Sequence, residues 1–100
     1  MEKPPTPLQL AVARAYRWQA MLDSGEVASL GDLAIQVGMD KSYLGKILRF
    51  TLLAPDIVEA ILEGKEPVGM SMTRLLGSIP ALWEEQQQVF GFVGAQRLPG

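Results

Sequence analysis

Apolar residues recur with a helical period from Pro7 to about Asp23, where Leu8, Ala11, Val12, Ala15, Trp18 and Leu22 share one face. Thr6 is placed to cap this helix with Pro7 at its first position, where a missing N–H costs nothing. Leu10, Arg14, Arg17 and Met21 fall on the opposite face, and Ser24-Gly25 closes the segment. Ser29-Leu30-Gly31-Asp32 reads as a capping box with Asp in place of the usual Glu, so a second helix starts at Leu30 and ends at Gly38. Asp40 caps a third, from Lys41 to about Phe50. A fourth opens at Pro55, buries Ile57, Val58, Ile61 and Leu62, and stops at Gly64. After a loop over Lys65–Met70, Ser71 caps a short helix through Leu76. Pro80 opens a last helix, Ala81 to Phe90, with Leu82, Trp83, Val89 and Phe90 as packing candidates. No alternating strand pattern appears. The expected fold is all-α, a single domain of five or six short helices around a central helix-turn-helix, with the entry segment 1–6 and the tail 91–100 flexible.

The helix-turn-helix assignment rests on stereochemistry. Where the two helices cross, a small residue is required, and the turn needs a residue that adopts positive φ. Apolar side chains must also seal both helices against the first. Counted from Leu30, the positions that carry these demands are Leu33, Ala34, Val37, Gly38, Met39, Leu44 and Ile47, and all seven are filled suitably.

The helix from Lys41 presents a different composition on its outside. At 100° per residue Leu44, Ile47 and Leu48 turn inward, while Ser42, Gly45, Lys46 and Arg49 turn outward, with Lys41 at the N-terminal edge. That face has cations, a hydroxyl and a glycine, but no acid. Gly45 costs about 1 kcal/mol relative to Ala inside a helix, which points to close approach by something else. Such a face suits a helix lying in the major groove of DNA. Lys41, Ser42 and Lys46 are candidates for base-edge contacts and Arg49 for phosphate. Tyr43, at the side of the face, is a candidate for a phosphate hydrogen bond or partial burial. Arg14 and Arg17 on the first helix are candidates for the flanking backbone, or simply a solvated face.

Composition narrows the alternatives. The chain has neither His nor Cys, so imidazole and thiolate nucleophiles and nitrogen–sulfur zinc sites are excluded. Its carboxylates fall at helix starts and on solvated faces; no enzymatic activity, catalytic residue, metal or cofactor is expected. No apolar run approaches the ~18 residues of a membrane span, and Met1-Glu2-Lys3-Pro4-Pro5 lacks a signal-peptide core, so a cytoplasmic location without membrane partners is expected. The net charge of −2 runs against nucleic-acid binding, but its distribution is uneven. Residues 1–50 hold six bases against five acids, and residues 51–100 three against six. The acid excess therefore lies behind the motif.

The run Gly38-Met39-Asp40-Lys41-Ser42-Tyr43-Leu44-Gly45-Lys46-Ile47-Leu48-Arg49, with Leu52-Leu53-Ala54-Pro55-Asp56-Ile57-Val58-Glu59-Ala60-Ile61-Leu62-Glu63-Gly64 behind it, resembles the DNA-binding domain of the ParB/KorB plasmid-partition family. The resemblance spans about residues 29–64. The flanks Ala13-Arg14-Ala15-Tyr16-Arg17-Trp18-Gln19 and Trp83-Glu84-Glu85-Gln86 are similar to the region after the catalytic domain of some bacterial and phage-associated serine recombinases. Neither a partition-partner segment nor a recombinase catalytic domain is present here. The resemblance thus implies double-stranded DNA as partner, as a standalone regulator or a module of a mobile-element protein. It also adds Arg74, since helices after the motif carry specificity in the partition family. A homodimer or a larger parent assembly is a further expectation. The competing reading is an α-helical protein-interaction module, based on the acidic second half and on Leu10, Met21, Met70 and Met72 as exposed apolar candidates.

Overall fold

The computed structural model describes residues 4–66 and 70–90. Among them are six α-helices and one 3-10 turn, with no strand: α1 (Pro7–Asp23), α2 (Leu30–Val37), α3 (Lys41–Leu48), the 3-10 turn Arg49–Leu52, α4 (Pro55–Leu62), α5 (Met72–Gly77) and α6 (Trp83–Val89). The protein is all-α, as its periodicity requires. No helix among the described residues is long and apolar enough to cross a membrane. The expected loose tail 91–100, residues 1–3 of the entry segment and residues 67–69 of the expected loop lie outside the described residues.

The helix starts follow from their caps. Thr6 Oγ1 accepts from the Gln9 N–H while Gln9 Oε1 accepts from the Thr6 N–H, a complete capping box ahead of α1. At Ser29 the expected box is half formed: its hydroxyl accepts from the Asp32 N–H at 3.1 Å, because the Asp side chain is a methylene shorter than Glu. Asp40 and Ser71 cap α3 and α5 through the N–H groups of Tyr43 and Arg74. Gly25, Gly38 and Gly64 adopt positive φ where α1, α2 and α4 end.

Helix α1 is the hub, packing against α2, α3, the 3-10 turn and α4. Its buried face is Leu8, Ala11, Val12, Ala15, Trp18 and Met21. Met21, expected opposite the core, is buried, and Leu22 is only half-buried: the chain turns back after Ser24 and brings Val27 into the core beside this last turn. Leu33, Leu44, Phe50, Ile57 and Ile61 complete the centre. Two expectations for α4 change. Val58 is half-buried, and Leu62 is exposed because α4 ends there and turns its last residue outward. Met70, expected to be exposed, is buried, and Met72 is half-buried.

The last helix departs most from expectation. It starts at Trp83 rather than Ala81, and Leu82, with extended φ and ψ, is its cap residue. Leu82 and Trp83 are 60% and 55% exposed, and Val89 is exposed as well. Phe90 is buried, and beside it Gln86 is fully buried at 0% exposure. Its amide makes a hydrogen bond with each available group: Oε1 accepts from the Ala54 N–H at 2.7 Å, and Nε2 donates to the carbonyls of Leu52 and Pro80, both at 2.9 Å. Gln87 adds a bond to Asp56. These bonds, with buried Phe90 beside them, fix how α6 meets the junction before α4.

Candidate nucleic-acid interface

Six of the seven helix-turn-helix positions are packed as its stereochemistry demands, and the seventh, Gly38, is the exposed turn residue. Leu33, Ala34, Leu44 and Ile47 are buried, and Val37 and Met39 are half-buried. Gly38 sits at φ 71° and ψ 36°, and the N–H groups of Gly38 and Met39 both donate to the Ala34 carbonyl at 2.9 and 3.1 Å. A left-handed residue is strained for any side chain with a Cβ. This geometry closes α2 and redirects the chain into α3.

Lys41, Ser42, Lys46 and Arg49 are all exposed. Ser42, Lys46 and Arg49 follow one another at spacings of four and three, so they form one stripe along the outside. Arg49 is the first residue of the 3-10 turn rather than part of α3, so its side chain leaves from just beyond the helix end. Lys65 and Glu63 form the one ion pair among the described residues. The cations of α1 and α3 thus have no carboxylate partner within 4.0 Å there.

Gly45 is half-buried rather than fully outward. A Cβ built on it would meet only Leu30 Cδ2, at 3.9 Å, which is ordinary contact. The fold therefore leaves room for alanine at this position and does not itself demand glycine. Tyr43 is 39% exposed and lies beside Arg14, which brings two of the candidates on different helices together along one cleft. Arg17 is exposed one turn further along α1. Arg74 is engaged elsewhere: its guanidinium donates to the Val89 carbonyl at 2.8 Å and lies 5.6 Å from the centre of the Phe90 ring. It serves the end of α6.

Two glutamines escaped the sequence analysis. Gln9 Nε2 donates to the carbonyls of Ile61 and Leu62, both at 3.2 Å, and so satisfies the end of α4 from α1. Gln86 has the role described above. Gln86 and Phe90 lie one helical turn apart, which places them on one face, but a pattern built from apolar residues passes over a glutamine on that face.

Comparison of the chain with protein-family models, with curated proteins and with solved structures returns no match.

Proposed function

We propose that this chain is a sequence-specific double-stranded DNA-binding module whose helix α3 lies in the major groove. The observation that carries the reading is the outer side of α3: exposed Lys41, Ser42, Lys46 and Arg49, free of acid and of ion-pair partners among the described residues, on a packed helix-turn-helix. Lys41, Ser42 and Lys46 take base edges. Arg49, Arg14 and Arg17 take phosphates, and Tyr43 hydrogen-bonds the backbone at the side of the groove. Gly45 supports the same reading, since the chain itself has space for a side chain there. The module works without catalysis, metal or cofactor, in the cytoplasm.

The resemblance to the ParB/KorB domain, and to segments of serine recombinases, supports a mobile-element setting, as a regulator or as part of a larger protein. A single motif reads few base pairs, so a two-fold pair on half-sites about one helical turn apart is the expected binding unit. With about five phosphate contacts the logarithm of affinity should fall with that of salt at a slope near −4 to −5.

The test is a titration of mixed-sequence and then selected duplexes, followed by fluorescence anisotropy. Binding should be detectable with micromolar protein at about 50 mM salt. Replacing Lys46 and Arg49 together by Glu should abolish it and leave the circular dichroism spectrum unchanged. No binding by the unaltered chain at low salt would overturn the proposal.

A second reading, an α-helical protein-interaction module, draws on Ile35, which is 82% exposed on α2, and on Leu82 and Trp83. It is separated from the first by Ile35→Ser and Trp83→Ser, which leave DNA binding intact if DNA is the partner.

A further inference from the structure

Between α1 and α3, lined also by the turn and the start of α5, lies a half-open cleft of about 210 Å³. Its floor is Ala11, Trp18 and Ile47, all buried. Met39 and Met72 form half-buried walls, and thioethers of this kind pack adaptably around aromatic rings. At the mouth stand Leu10, Tyr43 and Arg14. Among the described residues Arg14 is the one charged group lining the cleft, and no carboxylate lines it. Asp40, next to Met39 in the chain, is occupied as the cap of α3 through the Tyr43 N–H. Among the described residues the cleft is therefore an apolar well with a single cation, free of ion-pair partners, at its rim.

We infer that this cleft is a binding site for a small amphiphilic carboxylate, whose apolar body fills the well and whose carboxylate meets Arg14. Size and charge both select this occupant. An apolar cavity of roughly 150 Å³ accommodates benzene, so one aromatic ring or a short branched alkyl chain suits the volume here. A guanidinium at the rim favours an anion, and its planar fork matches a carboxylate with two parallel hydrogen bonds. A cationic or zwitterionic occupant would place positive charge against Arg14. No local pattern along the chain marks such a site, because its lining is assembled from three helices and a turn. One consequence depends on the proposed DNA reading: Arg14 and Tyr43 are also its phosphate contacts, so occupancy and DNA binding would oppose each other reciprocally.

The site itself is tested without DNA, so its failure and that of the DNA reading are distinct. Benzoate is titrated into the full chain and followed by amide NMR, with benzyl alcohol and benzylamine as neutral and cationic counterparts. Benzoate should produce saturable shifts at Leu10, Arg14, Met39 and Tyr43, with a Kd of about 1 mM, the scale set by ligand efficiency for so small a molecule. Arg14→Gln should weaken benzoate about tenfold, the loss of a charge-assisted pair, and leave benzyl alcohol nearly unchanged. Leu10→Trp, at the half-open mouth, should fill the well and abolish benzoate binding with helical content unchanged. The inference is overturned if shifts fail to saturate by about 20 mM, far above the expected Kd, or map elsewhere. It is equally overturned if benzylamine binds as tightly as benzoate, or if either substitution leaves benzoate affinity unchanged.

Discussion

The first four helices and the last one are held in place by different physics. From α1 to α4 the positions that periodicity marks as apolar are mostly the positions that are buried, and Leu33, Leu44, Phe50, Ile57 and Ile61 meet around α1. At α6 the relation largely breaks: Leu82, Trp83 and Val89 face solvent, Phe90 alone of the four expected packing residues is buried, and Gln86 is fully buried. Helices α2, α3 and α4 are only eight residues each, yet their apolar faces meet the core around α1. Helix α6, at seven residues, turns Trp83 and Val89 to solvent, and a satisfied polar anchor beside buried Phe90 sets its position. A predicted apolar residue on a short terminal helix is therefore weak information about burial, whereas one on α1 or α3 is strong.

The contrast can be broken or sharpened by substitution. Phe50→Ala should have the largest effect, about 3–5 kcal/mol of lost stability in urea unfolding, since it empties a wholly buried site beneath α1. A loss under about 1 kcal/mol would mean that the 3-10 turn does not anchor the core. Gln86→Leu should follow, at about 2–4 kcal/mol, because a side chain of similar size would leave the Ala54 N–H and the Leu52 and Pro80 carbonyls unpaired. Were Gln86→Leu neutral, apolar burial would be holding α6 after all, and the contrast would fail.

Gly45→Ala should raise stability by about 0.5–1 kcal/mol, as it removes a helix-interior glycine where a Cβ has room. If α3 lies in a groove, the same substitution lowers DNA affinity, so stability and binding move in opposite directions. Affinity that follows stability upward would remove the functional reason for the glycine. The smallest effect is expected from Leu82→Ser with Trp83→Ser, together within about 0.5 kcal/mol per site of the unaltered chain in the same unfolding assay. A large destabilisation there would show these side chains to be covered in solution.

Much of the candidate interface was legible because its determinants are local. The turn at Gly38 depends on one residue's φ, and the caps at Thr6, Ser29, Asp40 and Ser71 on a side chain reaching an N–H three residues on. The outward stripe of Ser42, Lys46 and Arg49 follows from the 100° step of a helix whose inward side is apolar. Met21 and Leu22 show where that reasoning stops. Adjacent residues at the end of α1 exchange burial because the return of the chain through Val27, not the period, selects which of them is covered.

Interactions within a few residues set the capped starts of α1, α2, α3 and α5, the glycine stops of α1, α2 and α4, the helix-turn-helix and the acid-free side of α3, and these could be read along the chain; the end of α3 and the start of α6 could not. Tertiary structure alone decided the polar anchors and the cleft. Gln9 and Gln86 bond to carbonyls and an N–H group more than thirty residues away, beside the nearer partners Thr6 for Gln9 and Pro80 for Gln86. The well beside Arg14 exists only where α1, α3 and the start of α5 meet. A glutamine in a string of polar residues carries no mark of burial. It becomes a core residue when folding brings to it backbone groups that would otherwise be left without hydrogen bonds.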